Sequence, residues 1–317
     1  MLLDVQDLTT YYEVERGFVK AAEEVSFYVN RGEAFGLAGE SGCGKTTVAL
    51  SLMRLLPPNG RIVKGRILLD GEDLVRKSEE EMRRIRWKRI SIVFQGAMNA
   101  LNPVFTVGSQ IVEAILTHEN VSKEEAWSRA RKLFDMVGLD PSRLREYPHE
   151  FSGGMRQRAM IAMALACNPD LIIADEPTTA LDVITQAQVL RAIDELRHKL
   201  NLSMILISHD LATIADTCDR VAIMYAGKIV EYGDIVSVFK HTLHPYSQKL
   251  IAAFPSILGE KRPLSTIHGF PPDLLNPPPG CRFHPRCPYA SERCRREEPK
   301  LVEARKEHYV ACHLVGG

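Results

Sequence analysis

The spacing of apolar residues changes along the chain, and each kind of spacing predicts a different type of secondary structure. Residues 18–29 alternate through Val25, Phe27 and Val29, as in a strand with one buried face. Largely apolar runs of four to six residues are instead typical of buried parallel strands. Such runs lie at 34–38, 90–94, 171–174 and 203–207. With the helical stretches between them, they predict an α/β fold.

Helical periodicity is clearest from residue 106 to 139, which is predicted as an all-helical insertion. Ser122 and Glu125 have the spacing of a capping box, and Gly138 stands where a helix would end. The other predicted elements are strands at 2–8, 66–71, 219–225 and 228–232, a polar turn with Tyr11, Tyr12 and Gly17 after the first strand, a charged helix at 78–89 and a helix from Asp234.

A glycine-rich loop joins the first apolar run to the helix predicted from residue 48. It fits the pattern G-x-x-x-x-G-K-[ST] and consists of Gly39, Glu40, Ser41, Gly42, Cys43, Gly44, Lys45, Thr46 and Thr47. Glycines let successive N–H groups surround phosphate oxygens at a helix N-terminus, where the dipole adds attraction. Lys45 is expected to reach the outer phosphates and Thr46 to hold Mg²⁺. The alternative is a simple glycine-rich turn.

Polar residues follow the later apolar runs. Gln95 ends the second run, Asp175 and Glu176 end the third, and His209 follows the fourth. Adjacent carboxylates suit metal chemistry, because one can bind Mg²⁺ while the other polarises a water. A histidine at such a position is usually structural, but beside phosphate-binding elements we interpret it as catalytic.

Two further features could serve a nucleotide. Ser152, Gly153 and Gly154 open an Ala- and Met-rich helix, and a helix start of this kind exposes N–H groups that can bind an anion. A simple N-cap is the alternative. Tyr11 and Tyr12 precede the phosphate loop, where an aromatic ring could stack on a purine or merely pack.

Composition narrows the class of protein. The 317 residues are 45% hydrophobic and 25% charged, which is ordinary for a globular chain and suggests one large domain plus an appendix. Lys+Arg and Asp+Glu are 40 each, which gives no support for a general nucleic-acid binder. No run approaches the roughly 18 apolar residues of a membrane span, and the start lacks a basic secretion signal. A cytosolic protein is therefore expected.

Four of the seven cysteines follow residue 280, in a proline-rich tail that we expect to be stiff and largely irregular. They are Cys281, Cys287, Cys294 and Cys312. A cytosolic setting favours metal over disulfides, with disulfides and free thiols as alternatives. The gaps of five, six and seventeen residues identify no particular metal. His284, His308 and His313 are nearby nitrogen ligands if the metal is zinc.

Taken together, the motifs resemble an ABC-type ATPase from residue 2 to about residue 253. The set comprises Walker A at 39–46, Gln95, the signature at 151–157, Walker B at 171–176, Ala180-Leu181-Asp182 and His209. The stretch from Tyr147 to Arg158, His244-Pro245-Tyr246 and the Cys-rich tail resemble the oligopeptide/dipeptide/nickel importer family, and within it the D-type subunit.

The resemblance implies a P-loop NTPase fold of ABC type with an antiparallel β subdomain. It also implies a helical subdomain at about 96–165 within an ATPase domain at 1–253, and a small irregular, metal-bound extension at 254–317. The helical subdomain would dock onto membrane subunits. Gly96-Ala97 departs from the Asp-Pro that the family more often has, so the coupling loop at this position is expected to differ in detail.

The resemblance also implies roles for individual residues. Tyr12 would stack on adenine, with Tyr11 as the fallback, and residues 39–47, Lys45 among them, would wrap the phosphates. Thr46, Gln95 and Asp175 would surround Mg²⁺, Glu176 would activate the attacking water, and His209 would bind the γ-phosphate. Ser152, Gly153 and Gly154 would serve the nucleotide of a partner subunit. The tail cysteines would hold a [4Fe–4S] cluster, with Zn²⁺ as the alternative.

The function implied is an ATPase that powers an importer of di- or oligopeptides from the cytoplasmic face of the cell membrane, as a peripheral subunit. Its partners would be two membrane permease subunits, a second and different ATPase subunit, and an extracytoplasmic binding protein. The alternatives are nickel or oligosaccharide cargo, or an ABC ATPase acting on nucleic acid or ribosomes. The tail is expected to act in docking or subunit pairing, because it lies outside every ATPase motif.

Overall fold

The computed structural model describes residues 1–96, 100–179, 181–253 and 267–315. Its strands are β1 (Leu3–Val14), β2 (Gly17–Val29), β3 (Ala34–Ala38), β4 (Gly60–Leu69), β5 (Glu72–Asp73), β6 (Ile90–Val93), β7 (Leu171–Asp175), β8 (Ser203–Ser208), β9 (Arg220–Tyr225), β10 (Lys228–Asp234), β11 (Val302–Arg305) and β12 (His308–Val310). Its helices are α1 (Lys45–Met53), α2 (Glu79–Ile85), α3 (Val107–His118), α4 (Lys123–Met136), α5 (Gly153–Ala164), α6 (Val183–Leu200), α7 (Leu211–Thr217), α8 (Ile235–Lys240), α9 (Pro245–Ala252) and α10 (Glu292–Arg296). Across these described ranges, no helix has the length and apolar character needed to span a bilayer.

The chain divides into two compact units. The first comprises Met1–Val29, Ala34–Val75 and Ser208–Gly317, and the second comprises Asn30–Glu33 and Arg76–Ile207. Both units contain strands and helices, as the α/β prediction requires, and in the second unit helices separate β6, β7 and β8 along the chain.

The first unit contains an antiparallel sheet in the order β2-β1-β4-β5. Its other strands run in the order β11-β12-β10-β9-β3, antiparallel except for the parallel pair of β9 and β3. Val25, Phe27 and Val29 are buried, which confirms the predicted alternation of the second strand. All five residues of β3 are buried, as expected for a continuous apolar run.

The cysteine-rich tail is joined to β10 through β12. Backbone pairing places Glu231 opposite Val310 and Tyr232 opposite Tyr309. The side chains of Glu231 and His308 are fully buried behind this pairing, and His308 Nε2 lies 2.8 Å from Glu231 Oε1. The prediction of a largely irregular tail is therefore wrong for its last part, because the backbone there forms a hairpin that extends a sheet.

The second unit contains the parallel strands β8-β7-β6, in which Ile173 pairs with Ile92 and with Ile205. The described part of the insertion between β6 and β7 contains α3, α4 and α5, which are joined by turns and two short 3₁₀ helices. Ser122 caps α4 by accepting the N–H of Glu125 at 3.1 Å. The Glu125 carboxylate pairs with Arg129 at 2.6 Å. The Ser122 side chain thus forms its half of the predicted capping box, while the Glu125 carboxylate bonds to Arg129.

Other element boundaries also differ from the sequence predictions. β1 continues to Val14, so Tyr11 and Tyr12 lie within a strand, because pairing with β2 and β4 extends the ladder beyond the apolar residues. The charged helix ends at Ile85 and so is shorter than predicted. At the N-terminus of this helix, Ser78 and Glu81 form a full capping box.

Candidate functional site

The phosphate loop leads from β3 into α1 in the first unit. Lys45 is 5% exposed, and its Nζ donates to the carbonyls of Gly39 at 2.7 Å and Glu40 at 3.0 Å. Lys45 Nζ is therefore bonded across the loop. To reach a phosphate, it would leave the carbonyls of Gly39 and Glu40. Thr46, in the first turn of α1, has an exposed side chain, and no acidic residue stands in that turn. No acidic side chain in the first turn offsets the positive end of the α1 dipole, and this favours the binding of an anion there.

Two glycines of the loop are required by close backbone contacts. A Cβ at Gly39 would lie 2.3 Å from the carbonyl oxygen of Met224, and a Cβ at Gly44 would lie 2.0 Å from that of Ala21. Both glycines have positive φ, at 149° and 107°. Any side chain at either position would therefore push the loop away from the strands that support it.

Cys43 lies inside the loop and is 4% exposed. Its Sγ is 3.6 Å from Lys45 Nζ. Burial is the main cause that raises the pKa of the Cys43 thiol, although the neighbouring Lys45 acts in the opposite direction. The thiol is therefore a packed group beneath the loop, and the Cys43 backbone carbonyl accepts the N–H of Gly227 at 2.8 Å.

The two tyrosines before the loop point to different partners. The Tyr12 hydroxyl donates to Thr47 Oγ1 at 3.2 Å, which holds the Tyr12 ring beside the end of the loop. The Tyr11 hydroxyl instead donates to Glu23 at 2.6 Å. The contact with Thr47 favours Tyr12 as the candidate aromatic for a purine.

The candidate catalytic carboxylates lie in the second unit, at the end of β7. Asp175 is 2% exposed. Glu176 has a φ of 45°, which turns the chain sharply after the strand, and its N–H donates to the carbonyl of Ile207 at 2.9 Å. The Glu176 carboxylate accepts from Gln95 Nε2 at 2.8 Å and from Thr179 Oγ1 at 3.0 Å. The structure thus brings Gln95 and Glu176 together, which the sequence places 81 positions apart.

The Ser-Gly-Gly helix start is also in the second unit. Ser152 is the N-cap of α5, and its Oγ accepts the N–H of Met155 at 3.4 Å. The Ser152 side chain is exposed, and Gly153 and Gly154 are partly exposed. A Cβ at Gly154 would lie 2.4 Å from Thr185 Cγ2, so close packing against α6 also favours glycine there. Both interpretations of this motif, a plain N-cap and an anion site, thus remain compatible with the geometry.

His209 belongs to the first unit and has an exposed side chain directly after β8. Asp210 follows it and caps α7 by accepting the N–H of Ala212 at 3.0 Å. The predicted sites therefore divide between the units. The phosphate loop, Tyr12 and His209 lie in the first, and Gln95, the signature and the carboxylates lie in the second. Ala97 and Ala180 lie outside the described residues.

The four tail cysteines line one small cavity in the first unit. The cavity measures about 10 Å³ and is also lined by Phe283, His284 and His313. The backbone N–H of Cys281 donates to the carbonyl of Cys294 at 2.8 Å, which fixes the two cysteine segments together. Burial raises the pKa of the Cys281 thiol to about 11. Within the described ranges, no group of three or more His, Cys, Asp or Glu side chains is arranged to hold a metal ion.

His308, one of the nitrogen ligands considered for zinc, has a different partner. It is fully buried against Glu231, whose carboxylate also accepts the backbone N–H groups of Leu243 at 2.7 Å and His244 at 3.0 Å. The role of this histidine is therefore to complete a buried network that anchors β12.

A lysine-bearing glycine loop at a helix N-terminus and adjacent carboxylates at the end of a buried parallel strand define the class of P-loop ATPases. Comparison with known proteins makes the assignment more specific. The family model for ABC transporters matches residues 22–179, and the model for the C-terminal region of oligopeptide/dipeptide transporters matches residues 230–294.

Similar proteins extend over nearly the whole chain. The dipeptide transport ATP-binding protein DppD of Bacillus subtilis is 47% identical, over 99% of this chain and 94% of that protein. The oligopeptide transport ATP-binding protein OppD of Escherichia coli is 45% identical, over 98% of this chain and 92% of that protein. A dimeric structure of the ATP-binding cassette MJ0796 bound to ADP and Pi has a TM-score of 0.66 and 26% identity, over 74% of this chain and 99% of that one.

The chain therefore belongs to the ABC transporter family, among the ATP-binding proteins of oligopeptide and dipeptide transporters, and it is an ABC-type ATPase.

Proposed function

We propose that this chain hydrolyses ATP to drive import of di- or oligopeptides through two membrane permease subunits. The relatives with 45–47% identity over nearly their whole length are dipeptide and oligopeptide transport ATP-binding proteins. The proposal places the chain peripherally at the cytoplasmic face of the membrane, with an extracytoplasmic binding protein delivering the peptide. A second, different ATPase subunit would complete the pair, in keeping with the dimeric form of the similar cassette.

The proposed roles follow the resemblance. Residues 39–47 bind the ATP phosphates, and Tyr12 stacks on adenine. Thr46, Gln95 and Asp175 are the Mg²⁺ ligands. The exposed hydroxyl of Thr46 and the carboxylate of Asp175 are oxygen donors of the kind that Mg²⁺ prefers. His209 binds the γ-phosphate, while Ser152, Gly153 and Gly154 bind the nucleotide of the partner subunit.

The observation that carries the catalytic proposal is the hydrogen bond from Gln95 to Glu176. A general base must keep its carboxylate oriented, and the donors Gln95 Nε2 and Thr179 Oγ1 both contact Oε2 of Glu176. Glu176 is partly exposed, so a water can approach the carboxylate. We therefore assign Glu176 as the base and Gln95 as the residue that orients it.

Reconstitution tests the transport proposal. The chain is purified with its permease and ATPase partners, placed in vesicles with the binding protein, and supplied with MgATP. A di- or oligopeptide should stimulate ATP hydrolysis and accumulate in the vesicles. Stimulation by nickel or an oligosaccharide with no response to peptide would contradict the peptide assignment. Stimulation by nucleic acid or ribosomes instead would contradict the transport role.

We also propose that the tail cysteines hold a [4Fe–4S] cluster, with Zn²⁺ as the alternative. Four thiols that line one cavity supply the donor set of such a cluster. Among the described residues, the cysteines form no group of three or more arranged to hold a single metal ion, which counts against the zinc alternative. In a [4Fe–4S] cluster each cysteine binds a different iron, so the four sulfurs surround the cluster at greater separations than the ligands of one ion. Cluster binding would deprotonate the thiols and release protons, since burial raises the pKa of Cys281 and Cys287.

Metal analysis after anaerobic purification tests the tail site. A cluster predicts a brown protein with about four iron and about four sulfide per chain. Cys281→Ser, Cys287→Ser, Cys294→Ser and Cys312→Ser should each lower the iron content, whereas Cys167→Ser, at a buried cysteine of the second unit, should leave it unchanged. Colourless protein with stoichiometric zinc would overturn the cluster.

The proposed domain division is an ATPase domain at residues 1–253, with a helical subdomain at about 96–165, and an extension at 254–317. Separate family models for the cassette, at 22–179, and for the C-terminal region, at 230–294, support a division into two regions, and the second model begins before the proposed boundary at residue 254.

A further inference from the structure

A side chain of the tail binds the phosphate loop directly. Arg286 ends a short 3₁₀ helix, His284–Arg286, between Cys281 and Cys287. Its guanidinium donates through Nη1 to Glu40 Oε2 at 2.7 Å and through Nη2 to Glu40 Oε1 at 3.0 Å. Glu40 is the second residue of the loop. The paired fork is the geometry in which arginine holds a carboxylate most strongly.

The ion pair is partly shielded from water. The Arg286 side chain is 5% exposed and that of Glu40 is 24% exposed. Arg286 Nε also donates to the carbonyl of His268 at 3.0 Å, and Nη1 lies 3.3 Å from the Tyr225 hydroxyl. The hydrogen bond to Glu40 is the main cause that raises the pKa of the Arg286 guanidinium. The arginine is thus fixed on several sides, and its orientation does not depend on Glu40 alone.

The backbone of Glu40 is held from the same side. Its N–H donates to the hydroxyl of Tyr246, a fully buried residue of α9, at 3.0 Å. The Tyr246 ring packs against Tyr225 and Phe283, with centroids 4.6 Å and 5.4 Å away. Phe283 also lines the cysteine cavity. A continuous set of packed side chains therefore connects the tail to the loop.

The charge of Glu40 gives its ion pair with Arg286 a consequence for ATP binding. A carboxylate in a phosphate loop repels the anionic ligand that the loop is built to bind. Arg286 neutralises this carboxylate and draws it towards the tail. We propose that Arg286 is a positioning residue for nucleotide binding, and that it lowers the Kd for MgATP by holding Glu40 and the loop backbone in the binding conformation. The tail thus contacts a residue of the phosphate loop, although the sequence places it outside every ATPase motif.

A double-mutant cycle on the full-length chain tests this role, with MgATP as the ligand. Arg286→Met should raise the Kd about tenfold, equivalent to about 1.4 kcal/mol. In the Glu40→Gln background the same change should raise the Kd less than about threefold, because the carboxylate that Arg286 neutralises has been removed. Arg296→Met, at an exposed arginine of α10, is the matched control and should leave the Kd unchanged.

Steady-state kinetics separate positioning from general damage. Arg286→Met should raise KM for MgATP while kcat at saturation stays within about threefold of wild type. A loss of folded protein would instead lower kcat without changing KM. A Kd within twofold of wild type in folded Arg286→Met, or an equal effect in both Glu40 backgrounds, would overturn the proposal.

A conservative variant keeps the test decisive if Arg286→Met does not fold. Arg286→Lys retains the charge but loses the fork, so it should raise the Kd about threefold and do so only when Glu40 is present. An unchanged Kd for Arg286→Lys, or a change that persists with Glu40→Gln, would equally overturn the role.

Discussion

Replacing His308 by leucine tests whether the tail is an integral part of the first unit. The substitution keeps a side chain of similar bulk but removes the Nε2 group that lies 2.8 Å from Glu231. Both side chains are fully buried, so water cannot replace the lost partner. Among the described residues, Glu231 would keep the backbone N–H groups of Leu243 and His244 as donors.

The expected cost follows from the burial of the pair. A hydrogen bond to a charged group contributes about 1.5–3 kcal/mol. Removing the partner of a buried polar group costs about 1–3 kcal/mol, and more where that group is charged. Because Glu231 retains two donors, we expect His308→Leu to lower the free energy of unfolding by about 3 kcal/mol. For a unit of roughly 150–250 residues this corresponds to a fall in Tm of about 6–12 °C.

Differential scanning calorimetry of the full-length protein measures this change. His241→Leu is the matched control, because His241 lies in the same unit with an exposed side chain, and its Tm should change little. Glu231→Leu should be at least as damaging as His308→Leu, since it leaves a buried and a partly buried N–H group without their acceptor. If His308→Leu and His241→Leu have the same Tm, the buried pair does not anchor the tail.

Three further changes test the ATP site. Glu176→Gln should lower kcat by about 10²–10⁴-fold with little change in the Kd for MgATP, because glutamine keeps the shape of the side chain but cannot act as the base, and turnover within a few-fold of wild type would refute this role. His209→Ala should lower kcat about 10²-fold while the Kd stays nearly constant, whereas a matching rise in Kd would indicate ground-state binding instead. Cys43 should react slowly with iodoacetamide because it is buried and its pKa is raised, and saturating MgATP should slow the reaction further, as measured by mass spectrometry of the Cys43 peptide. Equal labelling with and without MgATP would contradict the proposed loop geometry.

The local part of the fold could be predicted from sequence because its determinants are adjacent in the chain. The apolar run of β3, the glycines that follow it and the start of α1 are contiguous, so one pattern specifies strand, loop and helix. Gly39 and Gly44 occur where a Cβ would collide with backbone, and both positions are glycines in the sequence motif. The hairpin of β9 and β10 was predictable for the same reason, since its turn residues lie between two apolar runs.

Contacts between distant residues could not be predicted in this way. Glu40 and Arg286 are 246 positions apart, and each alone is an ordinary charged residue in a polar stretch. The pairing of His308 with Glu231 was not predictable either, and His308 was considered only as a zinc ligand, because period and composition do not specify which polar side chains become buried together. The cysteines were recognisable as a set, but only the tertiary structure shows that Phe283 lines their cavity and contacts Tyr246.

These two long-range contacts change how the tail should be understood. β12 continues the sheet of the first unit beyond β10, while Arg286 reaches the loop that follows β3 in the same unit. If Arg286 positions Glu40 for MgATP, thermodynamic linkage requires that bound MgATP in turn favours the conformation of the tail in which Arg286 is fixed. Cys287 is the next residue after Arg286, so the segment that would carry a metal ligand is the segment that touches the loop. If the tail binds a metal as proposed, metal binding there and nucleotide binding in the loop would therefore influence each other through Arg286.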